Sequence, residues 1–217
     1  MNIEQVIFVY SEGWDAFEAK LFRMEKAGGR PWGVVGAPIP VVIGQKGMAW
    51  GHGIHPQPLF PGPIKVEGDK RTPAGIFTLG EVFGFGEDFP PKSLKMAHLL
   101  FDSERVAVDD PASSLYNQFA FLPGDWKSSE RMDHPLYRLG CVVDHNKRGF
   151  LPGAGSCIFF HVWRGPKEAT AGCTAMAEAD LKEVLLWLDP SKHPRLIQLP
   201  AFVSSAASAT DYGCEKE

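Results

Sequence analysis

The sequence is poor in the features that would place it outside the ordinary globular class. Its four cysteines, Cys141, Cys157, Cys173 and Cys214, include no CxxC pair. They are too few for a disulfide scaffold in a chain this long, and they leave the redox compartment open. No run approaches the roughly 20 apolar residues of a membrane-spanning helix, so no transmembrane segment is expected. Positive charge is not in excess, since 22 Lys and Arg face 26 Asp and Glu for a net charge of -4. Without an overall positive field, nucleic acid is not an expected partner. Internal repeats and linker-like stretches are absent too. Met1 runs almost directly into Val6–Tyr10 without the basic start, apolar run and small-residue cleavage site of a signal peptide. The expectation is a cytosolic chain, or one whose leader has been left out.

What is present fits one mainly β domain. A chain of 217 residues exceeds the usual domain length of about 150 only modestly, and its 44% hydrophobic and 22% charged fractions are those of a globular protein. We expect a single domain over residues 1–203 and a flexible C-terminal tail over 204–217. The 23 glycines and 18 prolines are scattered without a period, which favours short strands, tight turns and long loops. Strands are expected at residues 5–10, 34–35, 40–43, 99–101, 105–108, 141–143, 156–163 and 195–199, with a hairpin turn at Gln45–Gly47 and a charged turn running into a strand over 65–77. The Gly- and Pro-rich stretch 51–63 reads as a long loop. One helix stands out over 177–188, where Leu181, Val184, Leu185 and Leu188 recur at helical spacing and Pro190 lies just beyond.

The segment richest in chemistry is Phe159–Arg164 followed by Thr170–Met176. A strand ends in His161, and twelve positions later Cys173 follows Gly172 just ahead of the helix. A free thiol has a pKa of about 8.5, and an adjacent imidazole and a helix N-terminus would both favour its thiolate. Gly172 removes a side chain beside the sulfur, letting a carbonyl approach and leaving backbone N–H groups for a developing oxyanion. This constellation suits acyl transfer. Cys173 alone would read as a buried small hydrophobe, and His161 alone as a satisfied strand-end histidine. Arg164 can hold a carboxylate through a planar fork or sit on the surface. Thr170 and Thr174, flanking the Gly-Cys pair, are further candidates for substrate contact. The His52/His55 pair and Cys141 with His145 could suggest a metal. The former lies in a proline-rich loop with no acidic general base at zincin spacing, so neither metal nor cofactor is expected. Trp126, Trp163 and Trp187 read as core or cleft walls.

These residues carry a resemblance. Lys65–Phe77 with its Thr72-Pro73-Ala74-Gly75-Ile76-Phe77 core, then His161 and Thr170-Ala171-Gly172-Cys173, resemble the YkuD-type L,D-transpeptidase catalytic domain from about Val6 to Leu199. The resemblance implies a sandwich-like β fold and a cysteine that attacks a peptidoglycan tetrapeptide stem at the L-centre to D-Ala bond. D-Ala leaves, and the acyl group passes to an amine of a second stem. It implies Cys173 as nucleophile, His161 as base and the backbone at Gly172 and Cys173 as oxyanion hole. A periplasmic or cell-envelope location and acylation by carbapenems are implied as well. Ala171 replaces the histidine of the usual [Ser/Thr]-His-Gly-Cys pattern, and the His161–Cys173 interval is short, which marks a divergent branch. The alternatives are transfer to water, as an L,D-carboxypeptidase or amidase, and an inactive cell-wall binding module.

Overall fold

A computed structural model describes residues 2–26, 28, 30–55 and 58–201. It is mainly β, with 38% of residues in strands. The strands are β1 (Gln5–Ser11), β2 (Glu18–Glu25), β3 (Gly33–Val42), β4 (Met48–Trp50), β5 (Thr72–Phe77), β6 (Leu79–Gly84), β7 (His98–Leu100), β8 (Arg105–Val108), β9 (Gln118–Phe121), β10 (Ser129–Arg131), β11 (Leu139–Val143), β12 (Phe159–Val162), β13 (Thr174–Met176) and β14 (Arg195–Pro200). The one α-helix element among the described residues, α1 (Glu178–Trp187), lies between β13 and β14. Eleven strands form one sheet in the order β4-β5-β14-β1-β2-β3-β13-β12-β11-β6-β7, and β10-β8-β9 form a second.

Burial explains this layout. In β2, Ala19 and Leu21 are buried while Glu18 and Lys20 are exposed, the period-2 pattern of a strand with one wet face. Inward residues of β1 to β6, β11 to β14 and α1, among them Ile7, Leu21, Val41, Trp50, Phe77, Phe160 and Leu185, meet in one apolar cluster. The large sheet therefore folds back over its own core in the manner of a sandwich. On α1, Leu181, Val184 and Leu185 are buried, and the helix packs on β11 and β12. A second cluster joins Phe83, Phe101, Tyr137 and Phe159 to Ala107 of the small sheet and to Cys173, which seats the thiol where the two sheets meet.

The structure revises some local expectations. The runs at 34–35 and 40–43 are joined in the single strand β3, which ends at Val42. Gln45–Gly47 does form a tight turn, with the Gly47 N–H donating to Gly44 O at 2.7 Å. It closes no hairpin, because β4 pairs in parallel with β5. Strand β2, written with four charged residues in eight, carries too little apolar signal to be seen in advance. The expected tail at 204–217 lies outside the described residues.

Candidate active site

Strands β12 and β13 run parallel, with Phe160 opposite Thr174 and His161 opposite Ala175. Side chains alternate across a strand, so Phe159, His161, Cys173 and Ala175 share one face. His161, Cys173 and Ala175 line a cleft of about 510 Å³ together with Gly172, Thr170, Trp163 and Arg164. The same alternation turns Thr174 to the opposite face. It is fully buried, donates to Gln198 Oε1 at 2.6 Å and is not in the cleft. Gln198 in turn donates to Pro73 O at 3.0 Å, so Thr174 is engaged in a buried link from β13 to β14 and β5, which are not its neighbours in the sheet.

The loop ahead of the thiol is held by hydroxyls. Thr170 Oγ1 donates to Cys173 O at 2.6 Å and accepts from the Gly172 N–H at 3.1 Å. Thr72, from the TPAG run, accepts from the Gly44 N–H at 2.8 Å and donates to Gly172 O at 2.7 Å. Thr72 carries no signal in the sequence beyond family likeness; its buried hydroxyl ties the Gly172–Cys173 loop to β5. Gly172 has φ +153°, a conformation that strains any side chain, and a Cβ there would crowd Arg71 O at 3.1 Å. Its N–H is committed to Thr170, so it is not free for an oxyanion in this arrangement.

Cys173 is buried, accepts from the Phe159 N–H at 3.3 Å and directs its S–H at Cys157 O, 3.5 Å away. Burial, reinforced by the charge of Glu130, pushes the thiol up to about 12 although the Phe159 N–H pulls the other way. The expectation of a thiolate at rest is therefore not met. One reason is topological: β13 separates Cys173 from the first turn of α1 at Glu178, and a helix N-terminus acts only within its own turn. His161 is also buried. Its Nδ1 lies 2.8 Å from Val162 O, which requires the proton on Nδ1 and leaves Nε2 as a lone pair. Burial brings the imidazole down to about 4. Tyr137 stacks edge-on against it at 5.3 Å between ring centres. At neutral pH the pair is thus neutral thiol and neutral imidazole, sharing a cleft wall without a hydrogen bond between them.

Several cleft residues went unnoticed in the sequence. Lys65 is buried and paired with Asp69 at 2.5 Å, and Glu67 accepts from Tyr116 and from Ser156 at 2.7 Å. Asp109, Glu130 and Tyr137 line the side formed by the small sheet and the turn after β10. Nothing in their spacing marks them, because they meet only through the fold. Of the other tryptophans, Trp126 packs on the small sheet and Trp187 on the main core. The residues weighed for metal serve the fold. His145 accepts from the His52 N–H at 3.2 Å through Nδ1 and contacts Ala154 O at 3.0 Å through Nε2. His55 accepts from the Ile76 N–H at 3.2 Å, and Cys141 is buried against Gly80 O.

The two buried imidazoles give a pH signature. Burial lowers His145 to about 3 and His161 to about 4, both below the usual histidine value of about 6.5. A depressed folded-state pKa contributes stability that is complete above the unfolded value and is lost as pH falls through the folded one. In an NMR titration of the imidazoles, His145 and His161 should show no protonation between pH 8 and about 5. Ordinary titration of His161 near the unperturbed value would contradict its burial as a neutral base.

The family model for the YkuD L,D-transpeptidase catalytic domain matches residues 21–197. Comparisons with curated proteins and with solved structures returned no significant match. No helix among the described residues is long and apolar enough to cross a membrane. With the family model covering well over half of the chain and a mainly β fold to match, this chain belongs to the YkuD family of L,D-transpeptidase catalytic domains.

Proposed function

We propose that the protein is a cysteine acyltransferase of the cell envelope that cleaves the L-centre to D-Ala bond of peptidoglycan tetrapeptide stems and passes the acyl group to an amine. The observation that carries this reading is the convergence of Cys173, His161, Gly172, Thr170 and Arg164 on one cleft. The resting pair sets the order of events. As Sγ of Cys173 attacks the stem carbonyl, its proton moves to Nε2 of His161, so the anion exists only while it reacts. The tetrahedral oxyanion is assigned to the Cys173 N–H, since that of Gly172 is engaged. His161 then gives its proton to the leaving amine of D-Ala, and a thioester remains on Cys173.

Arg164 lies near enough to His161 for its charge to bear on the imidazole, and it is assigned to a carboxylate of the stem. Incubation with purified tetrapeptide muropeptides, followed by mass spectrometry, tests the reading: loss of D-Ala is expected, with dimers as the second product. Intact stems after prolonged incubation would refute it. Arg164→Ala should lower kcat/KM about ten- to a hundredfold, chiefly through KM, the range of a charge-assisted hydrogen bond. Arg164→Lys should recover only part, because an ammonium lacks the planar fork. Unchanged kinetics in both variants would remove Arg164 from the site.

A further inference from the structure

The segment that leads into β12 is held by side chains from three other parts of the chain. Gly155 donates its N–H to the Tyr116 hydroxyl at 3.1 Å, and its carbonyl accepts from Asn146 Nδ2 at 3.1 Å. The Ser156 hydroxyl donates to Glu67 at 2.7 Å, and the Cys157 N–H donates to Asn117 Oδ1 at 2.8 Å. The run ends on the nucleophile. Cys157 O is the acceptor of the Cys173 S–H at 3.5 Å, and two residues on the Phe159 N–H donates to the same sulfur at 3.3 Å. Two contacts from one three-residue stretch, one on the hydrogen and one on a lone pair, fix which way Sγ points.

This stretch does not keep its shape unaided. Cys157 has φ +54°, in the left-handed region that a residue with a side chain holds only where its surroundings impose it. Asn117 imposes it. Its own N–H closes the turn between β8 and β9 on Val108 O at 2.8 Å, and its φ of +61° is one that asparagine accepts more readily than most residues. The amide then reaches two ways: Oδ1 takes the Cys157 N–H, and Nδ2 donates to His145 O at 3.0 Å. The small sheet is thereby tied to the turn after β11 and to the peptide that touches the sulfur. The Cys157 thiol also meets Val108 O, at 3.5 Å, but S–H is a weak donor.

We propose that Asn117 is a positioning residue for the nucleophile: through the Cys157 peptide it holds Cys173 Sγ in the place from which it attacks. This rests on the acyl-enzyme reading above and names the residue that keeps the sulfur aimed before a substrate arrives. The S–H turns about the Cβ–Sγ bond to give up its proton, and the sulfur itself need not move. A reacting carbonyl has to sit within about 3–3.5 Å of the attacking atom, and a displacement of about 1 Å costs on the order of 10²-fold in rate. The Cys157 peptide carries the effect and its thiol does not, so alanine at 157 leaves the arrangement in place.

Two substitutions in the whole protein separate positioning from mere stability. Asn117→Gly removes the amide without straining the backbone, since glycine takes positive φ freely. Asn117→Asp keeps an oxygen for the Cys157 N–H and loses the donor to His145 O. On a tetrapeptide stem, with rates referred to the folded fraction seen in the melt, Asn117→Gly should lower kcat for D-Ala release about ten- to a hundredfold and leave KM within about twofold. Asn117→Asp should recover most of kcat while melting below wild type, a split that a structural role cannot give because activity and melt would then move together. Unchanged kcat in Asn117→Gly, or an Asn117→Asp rate as low as that of Asn117→Gly, overturns the positioning and leaves the acyl-enzyme standing. Should the glycine variant not fold, Asn117→Asp decides alone: kcat near wild type supports the role, and a loss of about tenfold or more overturns it. Carbapenem acylation of Cys173, followed by intact mass, repeats the comparison without a stem. If wild type takes up the carbapenem and releases no D-Ala, the stem reading falls alone and the carbapenem rates decide Asn117. Wild type that does neither overturns the two together.

Discussion

Cys173→Ala should abolish release of D-Ala from tetrapeptide stems, with the residual rate no higher than that of buffer. A methyl group has no lone pair to attack with, and among the described residues no other thiol is placed to take over. Cys157 also borders the cleft, but its sulfur is turned to Val108 O at 3.5 Å and burial holds its thiol well above the ordinary range. Cys141 is buried in the main core. Alanine at either position should therefore spare the chemistry in the protein that folds. Removing the Cys173 sulfur also leaves the Phe159 N–H without its acceptor, at a cost of about 1–3 kcal/mol. The melting temperature should drop with the activity. Cys173→Ser, which keeps an acceptor near the same place, should restore the melt and not the turnover. Retained activity in folded Cys173→Ala would remove the nucleophile.

The second large effect is at His161. Loss of a general base is typically worth about 10² to 10⁴-fold, and His161→Ala should slow acylation by that amount. Free-thiol reactivity against pH should scarcely move. An imidazole held down at about 4 is uncharged at neutral pH and lends the sulfur no positive charge. The sign of the pH dependence follows from the same value. Nε2 accepts a proton only when His161 is neutral, so kcat/KM should hold as pH drops from 7 and decline only as it falls through about 4. If the thiol titration and the acylation rate shifted together in His161→Ala, the resting pair would be an ion pair and the order of proton transfer proposed here would be wrong.

The sequence makes the proposed reacting side chains legible because they lie on one local stretch. Phe159–Arg164 reads as an apolar strand with a histidine, and Gly172-Cys173 is a small-residue loop ahead of a helix whose Leu181, Val184, Leu185 and Leu188 mark its buried face. The thiol's environment was less legible. Three residues of strand between Cys173 and α1 remove the helix dipole from the argument, and β-propensity in Thr174–Met176 is too short a signal to separate from a loop. Thr174 shows the same limit, since one position decides which face a side chain takes, and the register comes from pairing with β12. Asp109, Glu130 and Tyr137 could not be joined to Cys173 in advance, because they come from β10, the turn after it and the end of β8. Strand β2 was hidden by its own chemistry: Glu18, Lys20, Arg23 and Glu25 leave it only Ala19 and Leu21 as inward apolar residues.

Intact-mass spectrometry of the protein mixed with a tetrapeptide stem and quenched in acid, followed by peptide mapping, reaches the central claim most directly. One adduct is expected, equal to the stem acyl group without D-Ala, held as a thioester on Cys173 and discharged by hydroxylamine. A carbapenem should label the same sulfur once. An adduct on Cys157, or D-Ala released with no covalent intermediate on Cys173 under conditions that trap thioesters, would contradict the account.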